Sequence, residues 1–307
     1  MRYFSLKNAD TSERMSLMEY DHFLTEPAGL GVNYDIAGET VGESFIITEK
    51  KRAINAPSGT MIFSSNEKYN AFVDFCNCEN LQLVYKVGEN SQEYMMDISL
   101  ASCEKRETKA DGTLECPVTF NGISKWYIEE IIEKPFKVSD STLDNAKFTK
   151  ADLLHLGKAG YKSEISIEID FAQANLSAWW LMEMGLVYDD IIDGEILEMR
   201  KRFVSLKNEK FGFSTNENID KNALFCINSS PKNLSVQRKT LVYDETGFNI
   251  QKTITEDLYK SLLPCDIPPF ICTNKDVYLF VCASPNNSQS GNIVGVKARC
   301  KRFVESV

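Results

Sequence analysis

Apolar and polar residues alternate one by one through much of this chain. The clearest run is Ile165, Ile167, Ile169 and Phe171, with Glu164, Ser166, Glu168 and Asp170 between them. Successive strand side chains point to opposite faces, so this pattern predicts an antiparallel sheet with one buried and one wet side. Leu81, Leu83, Tyr85 and Val87 repeat it, as do Met96, Ile98 and Leu100, and then Leu114, Cys116, Val118 and Phe120. Gly88-Glu89-Asn90 and Asp111-Gly112 are hairpin signals between such runs. Many short strands with turns favour sandwiches or barrels, so the chain reads as mainly β.

One helix interrupts the strands. Ser64 and Glu67 fit a capping box, and Tyr69, Phe72, Val73 and Cys76 follow at helical spacing, a stripe suited to packing on a sheet. A second helix is expected from near Thr253, with Glu256 three residues on, Ile254, Leu258 and Leu262 as its apolar side, and Pro264 as its stop. Leu176 to Met184 fits either a helix or a buried strand.

A length of 307 residues exceeds what one core usually holds and predicts two domains. Residues 137–150 are polar and lack alternation. The expected division is a first domain over 1–135, a linker or small insertion over 136–160 around Leu153, Leu154 and Leu156, and a second domain over 161–307. Hydrophobic residues make up 43% and charged residues 25%, an ordinary globular composition. The 34 Lys and Arg face 44 Asp and Glu, for a net charge of −10. That acidity argues against wrapping nucleic acid, which needs a basic patch. No window approaches 18 consecutive apolar residues, so no membrane insertion is expected. Met1 to Lys7 lacks the apolar segment of a signal peptide, so the nine cysteines are expected to be reduced thiols, mostly core residues. Ser-Leu-Lys-Asn at 5–8 and 205–208, and Lys-Arg-Phe-Val at 201–204 and 301–304, recur without matching flanks and read as coincidence.

Reactive chemistry has little to stand on. A Ser/His/Asp or Cys/His centre needs a base held by a third group, and only His22 and His155 exist. Both sit among apolar neighbours and read as structural. Cys76-Asn77-Cys78 lacks a matching pair for zinc. Asp189, Asp190, Asp193, Glu195 and Glu198 invite a calcium loop, but Ile191 falls on a ligand position, so no metal is expected. No phosphate-binding glycine loop is present, and no cofactor is expected. Trp126, Tyr127, Trp179 and Trp180 could stack on a sugar, although core packing explains them at least as well. The chain is expected not to be an enzyme.

An ordered series of segments resembles the distal tail proteins of phages that infect Gram-positive bacteria. The series opens with the strand Arg2 to Asn8, then Pro27-Ala28-Gly29-Leu30-Gly31, then Gly42 and Phe45 before a strand. Gly59 to Phe63 leads to the helix with Tyr69, Phe72 and Phe75. Leu81 to Tyr85, Cys116-Pro117-Val118-Thr119-Phe120 and Ser124-Lys125-Trp126-Tyr127 complete it. In the second half the likeness is carried by Cys226 to Pro231, Leu263 to Pro269, the strand Val277 to Cys282, and the alternation of Val294, Val296, Ala298 and Cys300. The family's Pro-Gly-x-Asn turn is replaced here by Pro269-Phe270-Ile271.

The resemblance implies an N-terminal β-sandwich with one packed helix, forming a ring-shaped belt, and a C-terminal galectin-like or jelly-roll β-sandwich. It implies a homohexameric adaptor at the tail tip, between the tail tube protein and the tail hub or tail-associated protein, in some phages also holding receptor-binding proteins. DNA would pass through the ring without specific binding. Such a protein is made in the host bacterial cytoplasm and ends in the virion. Candidate ring or partner contacts are Pro27, Gly29, Leu30 and Gly31, and Gly88 and Asn90 in a second hairpin. The alternative is a carbohydrate-binding module touching the host surface through the C-terminal domain, with Trp179, Trp180 and Tyr188 as contacts.

Overall fold

The computed structural model describes residues 2–137, 154–157, 162–170, 180–188, 212–215, 223–228, 230, 235–247, 249–257, 271–272, 277–285 and 293–304. The chain divides into two compact units, Met1–Glu129 with Phe303–Val307, and Glu130–Arg302.

The first unit runs β1 (Tyr3–Asn8), β2 (Arg14–Ser16), β3 (Met18–Glu19), β4 (His22–Ala28), β5 (Tyr34–Val41), β6 (Ser44–Arg52), β7 (Ser58–Phe63), α1 (Asn66–Cys76), β8 (Leu81–Lys86), β9 (Tyr94–Cys103), β10 (Leu114–Gly122) and the start of β11 (Tyr127–Lys137). Pairing is antiparallel throughout. One sheet orders β3-β4-β7-β10 and ends on the second half of β9, Ile98 to Cys103. The first half of β9, Tyr94 to Asp97, pairs instead with β8, which continues to β1 and β2. The shared strand joins two sheets over one core. Leu6, Leu83 and Met96 enter it from one sheet, and Met61, Phe63, Cys116, Val118 and Phe120 from the other. These are the inward positions of the alternating runs.

Helix α1 closes one side of that core through buried Phe72 and Cys76. The Phe63 ring lies 5.4 Å from Phe72 and 5.6 Å, edge to face, from Tyr69. Its N-cap is Ser65, not Ser64: the Ser65 side chain accepts from Lys68 N. Ser64 is held by β7's surroundings instead, since its N–H donates to Asp21 O at 2.9 Å. The helix therefore starts one residue later than the capping-box spacing predicts.

The opposite face of the β8–β9 sheet is also buried. Tyr127 is fully buried, and its hydroxyl donates to Asp97 Oδ1 at 2.6 Å and accepts from Gln82 Nε2 at 2.7 Å. Buried polar groups need such partners, and this one fixes the start of β11. The first unit takes part of its core from far along the chain. Val304 N donates to Trp126 O at 2.9 Å, and the Phe303 ring packs on Tyr127 with centroids 5.9 Å apart.

The second unit contains the rest of β11, then β12 (Leu154–Gly157), β13 (Lys162–Asp170), β14 (Trp180–Tyr188), β15 (Gly212–Thr215), β16 (Ala223–Asn228), β17 (Ser235–Tyr243), β18 (Ile250–Asp257), β19 (Ile271–Cys272), β20 (Val277–Pro285) and β21 (Ile293–Phe303). β13 is central in one antiparallel sheet. It pairs with β16 on one side and β21 on the other, and β17 and β18 extend the β16 edge. A second sheet orders β12-β20-β14-β15. Ile165, Ile167 and Ile169 are buried, as are Ile227, Val296, Ala298 and Cys300 beside them.

Two local expectations change here. Residues Ile250–Asp257 form a strand, not the start of a helix. Thr253, Ile254 and Thr255 are β-branched, and the strand pairs with β17 through an Arg238–Glu256 ion pair of 2.6 Å. The remainder of that expected helix, 258–264, lies outside the described residues. Of the open stretch Leu176 to Met184, Trp180 to Met184 is strand, and the rest lies outside the described residues. Of the expected linker, Phe136 and Lys137 finish β11 and Leu154–Gly157 forms β12.

Candidate assembly surface

Strands β5 and β6 pair with each other in a two-stranded sheet of their own. The turn between them holds Gly42 at φ 64, a left-handed conformation that glycine adopts without strain. Pairing in register places Tyr34, Ile36, Lys50, Ile47 and Phe45 on one face of this arm. A Cβ on Gly38 would lie 2.7 Å from Phe45 Cζ, so the ring covers the glycine on that face. Lys50 Nζ sits 4.3 Å from the Tyr34 ring centroid, a cation–π contact on the same face. The other face carries Asp35, Glu39, Glu49 and Lys51, with Val41 and Ile46. Its Lys51 pairs with Glu49 at 2.6 Å.

The first face is apolar and uncovered. Tyr34 and Ile36 are 50% exposed, Ile47 54% and Phe45 58%. A lone two-stranded hairpin is marginally stable in water, and a contiguous exposed apolar patch marks a contact surface. The sequence reasoning missed this arm. Its signal is Val41-Gly42-Glu43-Ser44-Phe45, a glycine turn between two β-branched and aromatic runs.

The residues singled out from the sequence fall elsewhere. Pro27 is half-buried near the end of β4, and Leu30 packs against the core. Gly29 has φ 76, and a Cβ there would lie 2.5 Å from Ala56 O. Gly31 is exposed, with nothing within 4 Å of the corresponding position. These four residues form the outgoing root of the arm. Gly88 and Asn90 lie in the β8–β9 turn, about 60 residues further on, where Ser91 Oγ accepts from Gly88 N and donates to Gly88 O. That hairpin is pinned by Glu93, which takes both Arg14 and Lys86. Trp180 and Tyr188 lie in β14; their side chains, and all of Trp179, lie outside the described residues, as does the acidic stretch from Asp189 to Glu198. Trp126 and Tyr127 are buried, so neither offers a ring to a sugar.

The titratable groups of the first unit serve structure. His22 is buried, and its Nδ1 lies 2.6 Å from Asp21 Oδ1; a carboxylate only accepts, so Nδ1 carries the proton. Asp21 also holds Lys68 at 2.5 Å, and its carboxyl is kept below the usual range first by Lys68 and then by His22. Glu19, Asp21 and His22 are the one group of three potential metal ligands among the described residues. The short His22–Asp21 contact is a hydrogen bond, with Lys68 as the countercharge. Burial pushes the thiols up: Cys103 to about 12, where neighbouring Cys116 adds to the effect, and Cys76 further. Such thiols are inert core residues.

Over the whole of both chains, the fold is similar to a protein of the phage P2 baseplate in its activated conformation with calcium, with TM-score 0.61 and 13% identity. It is similar to the Dit protein of phage SPP1, a hub of the adsorption apparatus in phages infecting Gram-positive bacteria, with TM-score 0.51 and 7% identity over 98% of this chain and 99% of that one. No curated protein matches the sequence. These likenesses show a shared β fold. Residues 3–123 match the family model of the distal tail protein, N-terminal domain.

Proposed function

We propose that this chain is the repeating subunit of a homohexameric adaptor ring. The ring joins the tail tube protein to the tail hub or tail-associated protein and to the host-recognition apparatus, and DNA passes through it unbound. The first unit forms the ring and the second, as a galectin-like domain, stands at its rim. The subunits are made in the host bacterial cytoplasm. The observation that carries this reading is the β5–β6 arm. Its Tyr34, Ile36, Phe45 and Ile47 face is half-exposed in the isolated chain and is suited to a neighbouring copy. Covering those four side chains is worth on the order of 4–6 kcal/mol per arm before association costs. A contact between different surfaces of identical copies closes into a ring when its rotation allows. Pro27, Gly29, Leu30 and Gly31 enter as the support of the arm, and Gly88 and Asn90 as a second contact.

The test is the mass of the purified protein in solution, with and without its tail-tube partner, by light scattering. A six-subunit species that Phe45→Ser with Ile47→Ser abolishes, while the far-ultraviolet spectrum stays unchanged, is the expected result. A species that stays monomeric with the partner present refutes the ring. The carbohydrate-binding alternative, through Trp179, Trp180 and Tyr188, has no observation in its favour among the described residues. Binding of the full chain to a glycan array would establish it.

A further inference from the structure

The arm needs a fixed direction as well as an apolar face, and its root supplies one. The chain leaves the body through Gly29 to Asn33 and returns through Ala53 to Pro57. Ala53 N donates to Asn33 O at 3.0 Å, which closes the base of the ribbon. Below that rung, Asn55 is buried, with 4% exposure, among residues that are mostly open to water. Its Nδ2 donates to Gly31 O, across the gap between the two stems. Among the described residues, no other side chain is seen to bond from one stem to the other. The return stem is itself held to the body. A Cβ on Gly122 would lie 2.0 Å from Asn55 O, one on Gly29 would lie 2.5 Å from Ala56 O, and Phe120 N donates to Pro57 O at 2.8 Å.

We propose that Asn55 is a positioning residue for assembly: its amide ties the outgoing stem to a return stem fixed on β10 and so aims the arm. The argument is one of reach and burial. The main-chain contacts at Gly122, Gly29 and Phe120 fix where Asn55 sits, and they do not depend on its side chain. The amide then converts that fixed point into a constraint on Gly31, three residues before β5. Gly31 is exposed and has open space around it, so between Leu30 on the core and the Ala53–Asn33 rung the amide is the tie seen on the outgoing stem among the described residues. Asn55 Oδ1 is buried and has no bonding partner. A buried acceptor left unmatched carries a cost, so this side chain is not the choice that stability alone would make. Its donor half is the useful half.

This inference rests on the ring reading for its consequence, not for its geometry, and the test separates the two. Amide exchange followed by mass spectrometry is measured on the dilute full-length chain, wild type and Asn55→Ala. Exchange across 34–52 is expected to rise about five- to ten-fold, the size of one hydrogen bond's net contribution, with β8 and β10 amides unchanged. The protein concentration for half-assembly should rise by at least the same factor. Asn55→Ser keeps a polar group that cannot span to Gly31, and it should behave as the alanine does. Unchanged exchange over 34–52 overturns the proposal. Equal loosening of β8 and β10 overturns it too, because Asn55 would then be an ordinary structural residue. A wild type that never forms a ring sinks the function proposed above, while the exchange data still judge the tie.

Discussion

Arg14 and Glu93, 79 residues apart in sequence, meet as a two-point fork: Arg14 Nη1 and Nη2 donate to Glu93 Oε1 and Oε2, each at 2.9 Å. Lys86 reaches the same carboxylate at 2.8 Å. The fork ties β2 to the hairpin that carries Gly88 and Asn90. The Arg14 bond, helped by Lys86, holds the Glu93 carboxyl at about 2, against an ordinary value of 4.5. A depressed carboxyl stabilises the fold above its unfolded pKa, and that stability is lost as pH falls toward the folded one. Glu93→Gln should therefore cost about 1 kcal/mol at pH 7, since the pair is partly exposed, and the cost should fade between about pH 4.5 and 2. Urea titrations of both proteins at several pH values check this. A penalty that persists at pH 2 would contradict it.

Gly29 and Gly31 should part company on substitution. Gly29→Val meets Ala56 O and a left-handed φ, so it should lower stability by about 2–3 kcal/mol and reduce assembly as a consequence. Gly31→Val meets nothing and should leave the melting temperature within about 2 °C. Any loss of self-association in Gly31→Val would then report on the contact surface itself. Thermal unfolding and solution mass, measured on both variants, separate the two effects.

Ser65→Ala should lower stability by about 0.5–1 kcal/mol, because it removes the acceptor for Lys68 N. Ser64→Ala should change it by less than about 0.3 kcal/mol, since Ser64 contributes through its main chain. Equal costs would move the helix start back to Ser64.

The thiols should titrate by burial. At pH 8.5 iodoacetamide should leave Cys103, Cys76 and Cys300 unmodified, since burial raises all three, Cys103 and Cys300 to about 12. Cys78, only partly buried, should react first among the described thiols. In denaturant all should react. Rapid labelling of Cys103 in the folded chain would show that the sheet beneath α1 opens.

The strands that bury one face were legible because burial writes the period into the sequence. Leu114 to Phe120 and Ile165 to Ile169 lie where their alternation put them, whereas Leu81 to Tyr85 forms the expected strand but is buried on both faces. The start of α1 was misread by one residue because Ser64 and Ser65 both suit an N-cap, and only the Asp21 carbonyl decides between them. Ile250 to Asp257 was misread because Ile254 with Leu258 and Leu262 mimics a helical stripe, while cross-strand pairing with β17 decides the outcome. The arm was missed for a different reason. The sequence marks only a strand after Gly42 and Phe45; whether a hairpin lies on the core or stands away from it depends on contacts that no local pattern encodes. The Pro27 to Gly31 segment, singled out from the sequence, leads into the arm, with Leu30 packed on the core.

Val304 N on Trp126 O joins residues separated by the whole of the second unit. A ribosome must therefore thread out every residue of that unit before Tyr127 and Trp126 gain their final cover. A nascent N-terminal half leaves the Val304 bond to Trp126 and the Phe303 ring on Tyr127 unmade, so its last core contacts form only after translation.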